Sequence, residues 1–403
     1  MNAYDILKER GFLAQCNHEE ELHKLLGNEK ITFYIGYDPT ADSLTVGHFL
    51  TLMAMGHLQR AGHRPITLMG TGTGMIGDPT DKTDMRRIMS KDEVMYNISC
   101  FKKQISKFIE YDNDKGIMAE NGEWLSTLNY IDFLRDIGVY FSVNRMLSAE
   151  SYKTRLESGL TLFEFNYMVM QAYDYLQLYK KYNCRLQMGG DDQWSNILAG
   201  TELIRKIENT QVYALTIALL TNSEGTKMGK TMSGAIWLDP KKTTPYELFQ
   251  YFRNVADQDV IRYLKLLTFL PMEDIKNMET WTGSELNRAK EILAYEITNI
   301  VHGKNEADNA KSAASAVFGG GSNLDGTPTT DISDLPISPI ELLRKCNLAA
   351  NNSEVRRLID QGGLKINEQK ITSIDTKIQE SDFKNGYILI QKGKKVFHRV
   401  RLV

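Results

Sequence analysis

Apolar and polar positions change period several times along the chain, and each change marks an element. Residues 31–34 form a β-branched and aromatic run, which predicts a strand. Residues 49–60 carry Leu52, Met53, Met55 and Leu58 at helical spacing, and residues 64–69 form a second apolar run. The unit is therefore strand, crossover helix, strand. Asp38-Pro39 and Asp42-Ser43 are turn formers ahead of the helix, and Ser43 or Thr45 is its candidate cap. Such a unit turns a helix mouth, with unpaired N–H groups and a positive dipole end, toward an anionic ligand. Gly47 lets a ligand approach the backbone, and His48 puts an imidazole at the helix start. A plain α/β crossover with a surface histidine fits the same pattern.

Further along, residues 1–29 and 90–145 read as helical, the latter amphipathic at 94–109 and 130–137. Gly70 to Pro79 is a glycine-rich loop without the Lys-Ser/Thr ending of a P-loop. Residues 163–176 are apolar nearly all round, which predicts a buried helix. Yet Tyr167, Gln171 and Asp174 stand at i, i+4 and i+7 on one stripe. Burying an unpaired amide or carboxylate costs roughly several kcal/mol, so a ligand or internal hydrogen bonds must meet them. Cys184 to Asn196 runs from a strand into a helix, with Asp191 or Asp192 as N-cap and the pair Gly189-Gly190 leaving room at the strand end. Lys227 and Lys230 flank Gly229 in a loop able to present two ammonium groups to a triphosphate. Thr244-Pro-Tyr-Glu247 is a capping box that opens helices running to about 318. A polar, glycine-rich linker spans 319–336. Ser338-Pro-Ile-Glu341 caps another helix. A helix over 353–361 follows, ending at Gly362-Gly363, with short strands around Leu364 and Tyr387.

Composition adds little until charge is divided along the chain. The whole has 403 residues, 42% apolar and 25% charged, with net charge −3 and no apolar run long enough for a membrane span. Residues 337–403 hold 13 Lys+Arg against 7 Asp+Glu, whereas the rest holds 35 against 44. A basic tail on an acidic body suggests a polyanionic partner for the tail; a solvated basic surface is the plainer alternative. Cys16, Cys100, Cys184 and Cys346 are far apart, with no pair at metal-ligand spacing. No structural metal is expected. Residues 1–10 are unlike a signal peptide, so a cytoplasmic location is expected.

The run Gly36-Tyr-Asp-Pro-Thr-Ala-Asp-Ser43, ending at Thr45-Val-Gly-His48, resembles the first signature of class I aminoacyl-tRNA synthetases in its tyrosyl form, with Thr45 replacing the usual first histidine. Thr226-Lys-Met-Gly-Lys-Thr231 resembles the second signature of the class, and Arg356-Arg-Leu-Ile with Gly362-Gly363 resembles an S4 RNA-binding domain. The resemblance covers almost the whole chain. It implies an α/β protein with a Rossmann-like parallel-sheet catalytic domain over 1–225, a signature loop and helical tRNA-binding domain over 226–318, and an α+β S4-like domain over 337–403.

It further implies that Thr40, His48, Lys227, Lys230 and Thr231 stabilise the phosphates, with Lys82 and Arg86 as a mobile clamp on pyrophosphate. Tyr34 and Asp174 would bond the phenol of tyrosine. Asp78, Tyr167, Gln171, Gln187 and Gln193 would hold the rest of that amino acid. Gly36, Asp38, Gly47, His48, Asp192 and Lys230 would line ATP. Arg356, Arg357, Lys392, Lys394 and Lys395 would meet RNA. The implied reaction activates L-tyrosine with ATP, supplied with Mg2+, and transfers it to tRNA(Tyr). The implied assembly is a homodimer in contact near 130–146. Asp191 departs from the usual serine and brings a negative charge near the expected ATP site, where it either weakens nucleotide binding or points outward. A small-molecule nucleotidyltransferase and a non-catalytic RNA-binding relative are the rival readings.

Overall fold

The computed structural model describes residues 2–80, 89–231, 234–319, 327–349, 351–384, 386–393 and 396–403. Two units divide them: Met1–Asp239 with Ile261–Glu279, and Pro240–Val260 with Thr280–Val403.

The first unit is built on β1 (Leu13–Cys16), β2 (Thr32–Tyr37), β3 (Arg64–Met69), β4 (Ile117–Glu120), β5 (Cys184–Gly190) and β6 (Tyr213–Ile217). They form one sheet in the order β1-β6-β5-β2-β3-β4, parallel except for β1 against β6. Phe33, Tyr34, Ile35 and Tyr37 are all buried, so β2 is covered on both faces, and this is why it reads as an unbroken apolar run. Helix Val46–Arg60 returns the chain from β2 to β3 and buries Phe49, Leu52, Met53, Met55 and Leu58. The next strands extend the sheet one way through β4. The chain then comes back to β5 on the other side of β2. The strand order thus reverses between β2 and β5, and Tyr34 stands directly beside Gln187 in their parallel register. In open α/β sheets this reversal leaves a crevice at the carboxyl ends of the strands.

Several elements differ from the sequence reading. β1 and β4 lie in stretches read as helical; each has four residues, too few for a period to declare itself. The buried helix over 163–176 is two helices, Leu162–Phe165 and Tyr167–Tyr182. The Tyr152 hydroxyl separates them, donating to the Phe165 carbonyl at 2.8 Å and accepting from Met168 N–H at 3.3 Å. Neither Asp191 nor Asp192 caps the helix after β5. Both lie in a single 3-10 turn, Asp191–Gln193, and Gln193 is the N-cap of helix Trp194–Glu208. After β6, β7 (Lys230–Thr231), which ends the second signature, pairs antiparallel with β8 (Gly234–Ala235).

In the second unit, helix Pro245–Arg253 opens on the Thr244–Glu247 capping box, and helices Ser284–His302 and Lys304–Gly319 pack with it. Its other part is a sheet of β9 (Thr329–Ile332), β10 (Leu364–Ile366), β11 (Gln369–Lys370), β12 (Tyr387–Lys392) and β13 (Val396–Leu402), in the order β11-β10-β12-β13-β9. Helices Pro339–Lys345 and Asn352–Asp360 supply Leu342, Leu343, Val355 and Ile359 to a core with Leu364, Ile388, Ile390 and Val400. β9 lies inside the stretch read as linker. It pairs parallel to β13, so a polar Thr-Thr-Asp run becomes a strand through a partner some 70 residues later. Among the described residues no helix is long and apolar enough to cross a membrane.

Candidate active site

At the strand-order reversal the first unit holds a cavity of about 400 Å³. Its lining includes Tyr34, Gly36, Asp38, Thr40, Thr45, Gly47, His48, Asp78, Tyr167, Gln171, Asp174, Gln187, Asp192, Gln193 and Lys227. Residues from five separate stretches of chain therefore meet in one cavity. Lys230 and Thr231 lie in β7, but their side chains fall outside the described set, as do Lys82, Arg86, Lys394 and Lys395.

The deep end is a linked set of hydrogen bonds. Tyr167 Oη donates to Asp38 Oδ2 at 2.8 Å, and Thr73 Oγ1 to Asp38 Oδ1 at 2.7 Å. Asn121 Nδ2 reaches Thr73 Oγ1 and Asp174 Oδ2, both at 2.9 Å, and Trp124 Nε1 donates to Asp174 Oδ1 at 2.7 Å. A Cβ at Gly70 would overlap Asp38 Oδ1, so only glycine lets this loop approach so closely. Thr73, Asn121 and Trp124 escaped the sequence reading. Asn121 and Trp124 follow β4, and without that strand nothing in the sequence carries them to Asp174.

Three polar atoms in this set lack a partner. The Tyr34 hydroxyl, Gln171 Oε1 and Gln187 Oε1 are buried and bond nothing among the described residues. Burial pushes the Asp174 carboxyl up to about 7, against the lowering effect of its bonds from Asn121 and Trp124, and nearby Asp38 adds to the rise. Burial likewise raises the Tyr34 phenol, so its proton stays on. A cavity with two open amide acceptors, one open hydroxyl and a buried carboxyl is built for a ligand with polar groups at fixed places.

Nearer the mouth, Asp78 accepts from Thr80 N–H and Oγ1 at 3.0 and 2.6 Å, and from Gln193 Nε2 at 2.6 Å. Gln193 also donates to Asp192 at 2.9 Å. Asp191 points elsewhere: its Oδ1 accepts from Gln15 Nε2 at 2.8 Å and Thr216 Oγ1 at 2.7 Å, tying the turn to β1 and β6. It is not part of the cavity lining. The two signatures are joined through the backbone. Val46 N–H donates to Ile236 O at 3.1 Å, Leu238 N–H to Leu44 O at 2.8 Å, and Ile236 N–H to Gly229 O at 2.8 Å.

Residues 26–319 match the family described as tRNA synthetases class I (W and Y). Residues 321–400 match the tyrosine–tRNA ligase SYY-like C-terminal domain. A tyrosine–tRNA ligase of Clostridium botulinum (strain Loch Maree / Type A3) is 58% identical over 402 residues, 99% of both chains. The chain belongs to the tyrosine–tRNA ligases. Another ligase, from Clostridium kluyveri, is 55% identical over 99% of both chains. The crystal structure of a C-terminally truncated Aspergillus nidulans mitochondrial tyrosyl-tRNA synthetase superposes with a TM-score of 0.71 at 29% identity, covering 79% of this chain and 94% of that one.

Membership in the tyrosine–tRNA ligases removes the nucleotidyltransferase reading and makes the chain an enzyme that uses ATP. It also gives the tail a context. In this ligase Arg356 and Arg357 are exposed on helix Asn352–Asp360. Lys392 is already engaged by Glu354 at 2.7 Å and by the Leu348 carbonyl.

Proposed function

We propose that the cavity of the first unit is where L-tyrosine and Mg-ATP form tyrosyl-adenylate, and that the same site then passes tyrosine to the 3′ end of tRNA(Tyr). The observation that carries this reading is the unpartnered Tyr34 hydroxyl in a cavity that also holds the Asp174 carboxyl. A phenol placed there donates to Asp174 and bonds Tyr34, while Tyr167, Gln171, Asp78 and Gln187 surround the rest of the amino acid. Gln193 keeps Asp78 and Asp192 in place, with Asp192 toward the ribose.

In the first step the tyrosine carboxylate attacks the α-phosphorus in line. A new C–O–P linkage forms, the bond to the bridging oxygen breaks, and pyrophosphate leaves with its electron pair. No proton moves, so the protein's task is to position the reactants and neutralise charge growing on the phosphates. Thr40, the mouth of helix Val46–Arg60 with Gly36 and Gly47, and Lys227 with Lys230 and Thr231 serve that task; Lys82 and Arg86 close on pyrophosphate. In the second step a terminal ribose hydroxyl of tRNA attacks the adenylate carbonyl, the acyl–phosphate C–O bond breaks, and AMP leaves, its phosphate taking up the hydroxyl proton.

Residues 337–403 are assigned to tRNA binding through Arg356, Arg357 and the basic group at Lys392, Lys394 and Lys395. The enzyme works as a cytoplasmic homodimer. Tyr130, Ile131, Val139 and Val143, within the stretch 130–146, are each more than half exposed, and such exposed apolar side chains support a second copy there. Tyrosine-dependent ATP–pyrophosphate exchange tests the reading. Exchange that requires tyrosine supports it, and exchange absent with tyrosine or equal with phenylalanine rejects it.

A further inference from the structure

Thr45 is the N-cap of helix Val46–Arg60, with φ −114° and ψ 173°, and forms a capping box with His48. In the usual box a Glu or Gln three residues into the helix reaches back to the cap. Here an imidazole does so. Thr45 N–H donates to His48 Nδ1 at 3.1 Å, and Thr45 Oγ1 lies 3.0 Å from the same nitrogen. A nitrogen that accepts an N–H carries a lone pair and no proton, so the neutral ring must carry its proton on Nε2. These are the ring's hydrogen bonds among the described residues, and Nε2 takes no part in them. Tyr37 and Phe101 flank the ring, with centroids 6.4 and 6.0 Å away. Burial lowers the imidazole to about 4, with no charged side chain contributing.

We propose that Thr45 is a positioning residue for His48: its N–H and hydroxyl fix the imidazole as the Nε2–H tautomer and offer that N–H to the bound nucleotide as a neutral donor. This rests on the ATP reading above. It gives position 45 a task within the protein, because the hydroxyl lies against the ring nitrogen. The opposite tautomer would set a lone pair against the oxygens of ATP and lose its bond to the Thr45 N–H.

The test uses full-length protein with 15N-labelled histidine, and Thr45→Val, Thr45→Ser and Thr45→His variants. Wild type should show His48 as the Nε2–H tautomer alone at pH 7. Thr45→Val keeps the backbone N–H and loses the hydroxyl, so it should weaken the preference for that tautomer without abolishing it and lower the activation kcat about threefold to tenfold, the worth of one net hydrogen bond, with the KM for tyrosine unchanged. Thr45→Ser should restore both readouts, and Thr45→His should lose rate although it restores the usual signature. A proton on Nδ1 in the wild type, or a Thr45→Val enzyme with wild-type tautomer and rate, overturns the proposal. If wild type shows no exchange at all, the ATP reading fails, and the tautomer spectrum alone decides what Thr45 does.

Discussion

Both oxygens of Asp174 accept a hydrogen bond before any substrate arrives, one from Asn121 and one from Trp124. The side chain is thereby held still, with lone pairs left over for a phenol. The ionised form accepts on both oxygens and donates from neither, which suits a phenol donor, and burial pushes its titration up to about 7. Tyrosine binding should therefore weaken as pH falls below about 7, and Asp174→Asn should abolish that dependence; titrating tyrosine affinity between pH 8 and 5.5 measures both. The stability effect has the opposite sense. Between the ordinary carboxyl range and about 7, the folded chain keeps a proton the unfolded chain has lost, so this group's contribution to stability falls as pH rises. Tyr34→Phe separates the substrate reading from a purely structural one. Phenylalanine leaves the Tyr34 hydroxyl unpaired and buried, so removing that hydroxyl should narrow the kcat/KM preference for tyrosine over phenylalanine. Tyrosyl-tRNA synthetase is a known example of this logic. An unchanged ratio would assign Tyr34 to the core alone.

At the scale of elements, the site depends on how closely helix Trp194–Glu208 approaches its neighbours. A Cβ at Gly200 would lie 3.0 Å from Tyr175 Cδ1 and 3.3 Å from Gln187 Oε1. Alanine would favour an isolated helix by about 1 kcal/mol. In this packing the added methyl has to displace a fully buried tyrosine, at a typical cost of about 1–3 kcal/mol. Gly200→Ala should therefore lower Tm and raise the KM for tyrosine through Gln187. A Tm at or above wild type would show that the helix yields without strain. Asp191 acts at the same scale. Its bonds to Gln15 and Thr216 hold the turn that bears Asp192 and Gln193, so Asp191→Ala should lower stability and raise the KM for ATP, where a carboxylate repelling the nucleotide would lower that KM on removal.

For the whole molecule, the decisive division is between the cavity unit and the basic tail. All cavity-lining residues belong to the first unit, whereas the excess of 13 basic over 7 acidic residues lies in 337–403. Deleting 337–403 should leave ATP–pyrophosphate exchange within about twofold and reduce aminoacylation more than about tenfold. tRNA binding by the intact chain should weaken steeply with salt, as phosphate contacts release counterions. Equal tRNA affinity with and without the tail would remove its assigned role.

The sequence by itself determined the strand–helix–strand core of the site, the two signatures and the capping boxes at Thr244 and Ser338, because each is written in neighbouring residues whose spacing matches one local geometry. It also exposed the polar stripe Tyr167, Gln171 and Asp174, since a run otherwise so apolar has to account for those groups. What it left open depends on partners distant in the chain. β4 and β9 are short, and only pairing with β3 and β13 makes them strands. Asn121 and Trp124 reach Asp174 across some 50 residues, and Asp191 turns away from the cavity because it accepts a hydrogen bond from Gln15, 176 residues upstream in sequence. Thr45 reads as a lost histidine in one dimension. Three dimensions show a threonine bonded to His48, because a hydrogen bond is decided by where two atoms lie, and spacing alone does not say which way a ring turns.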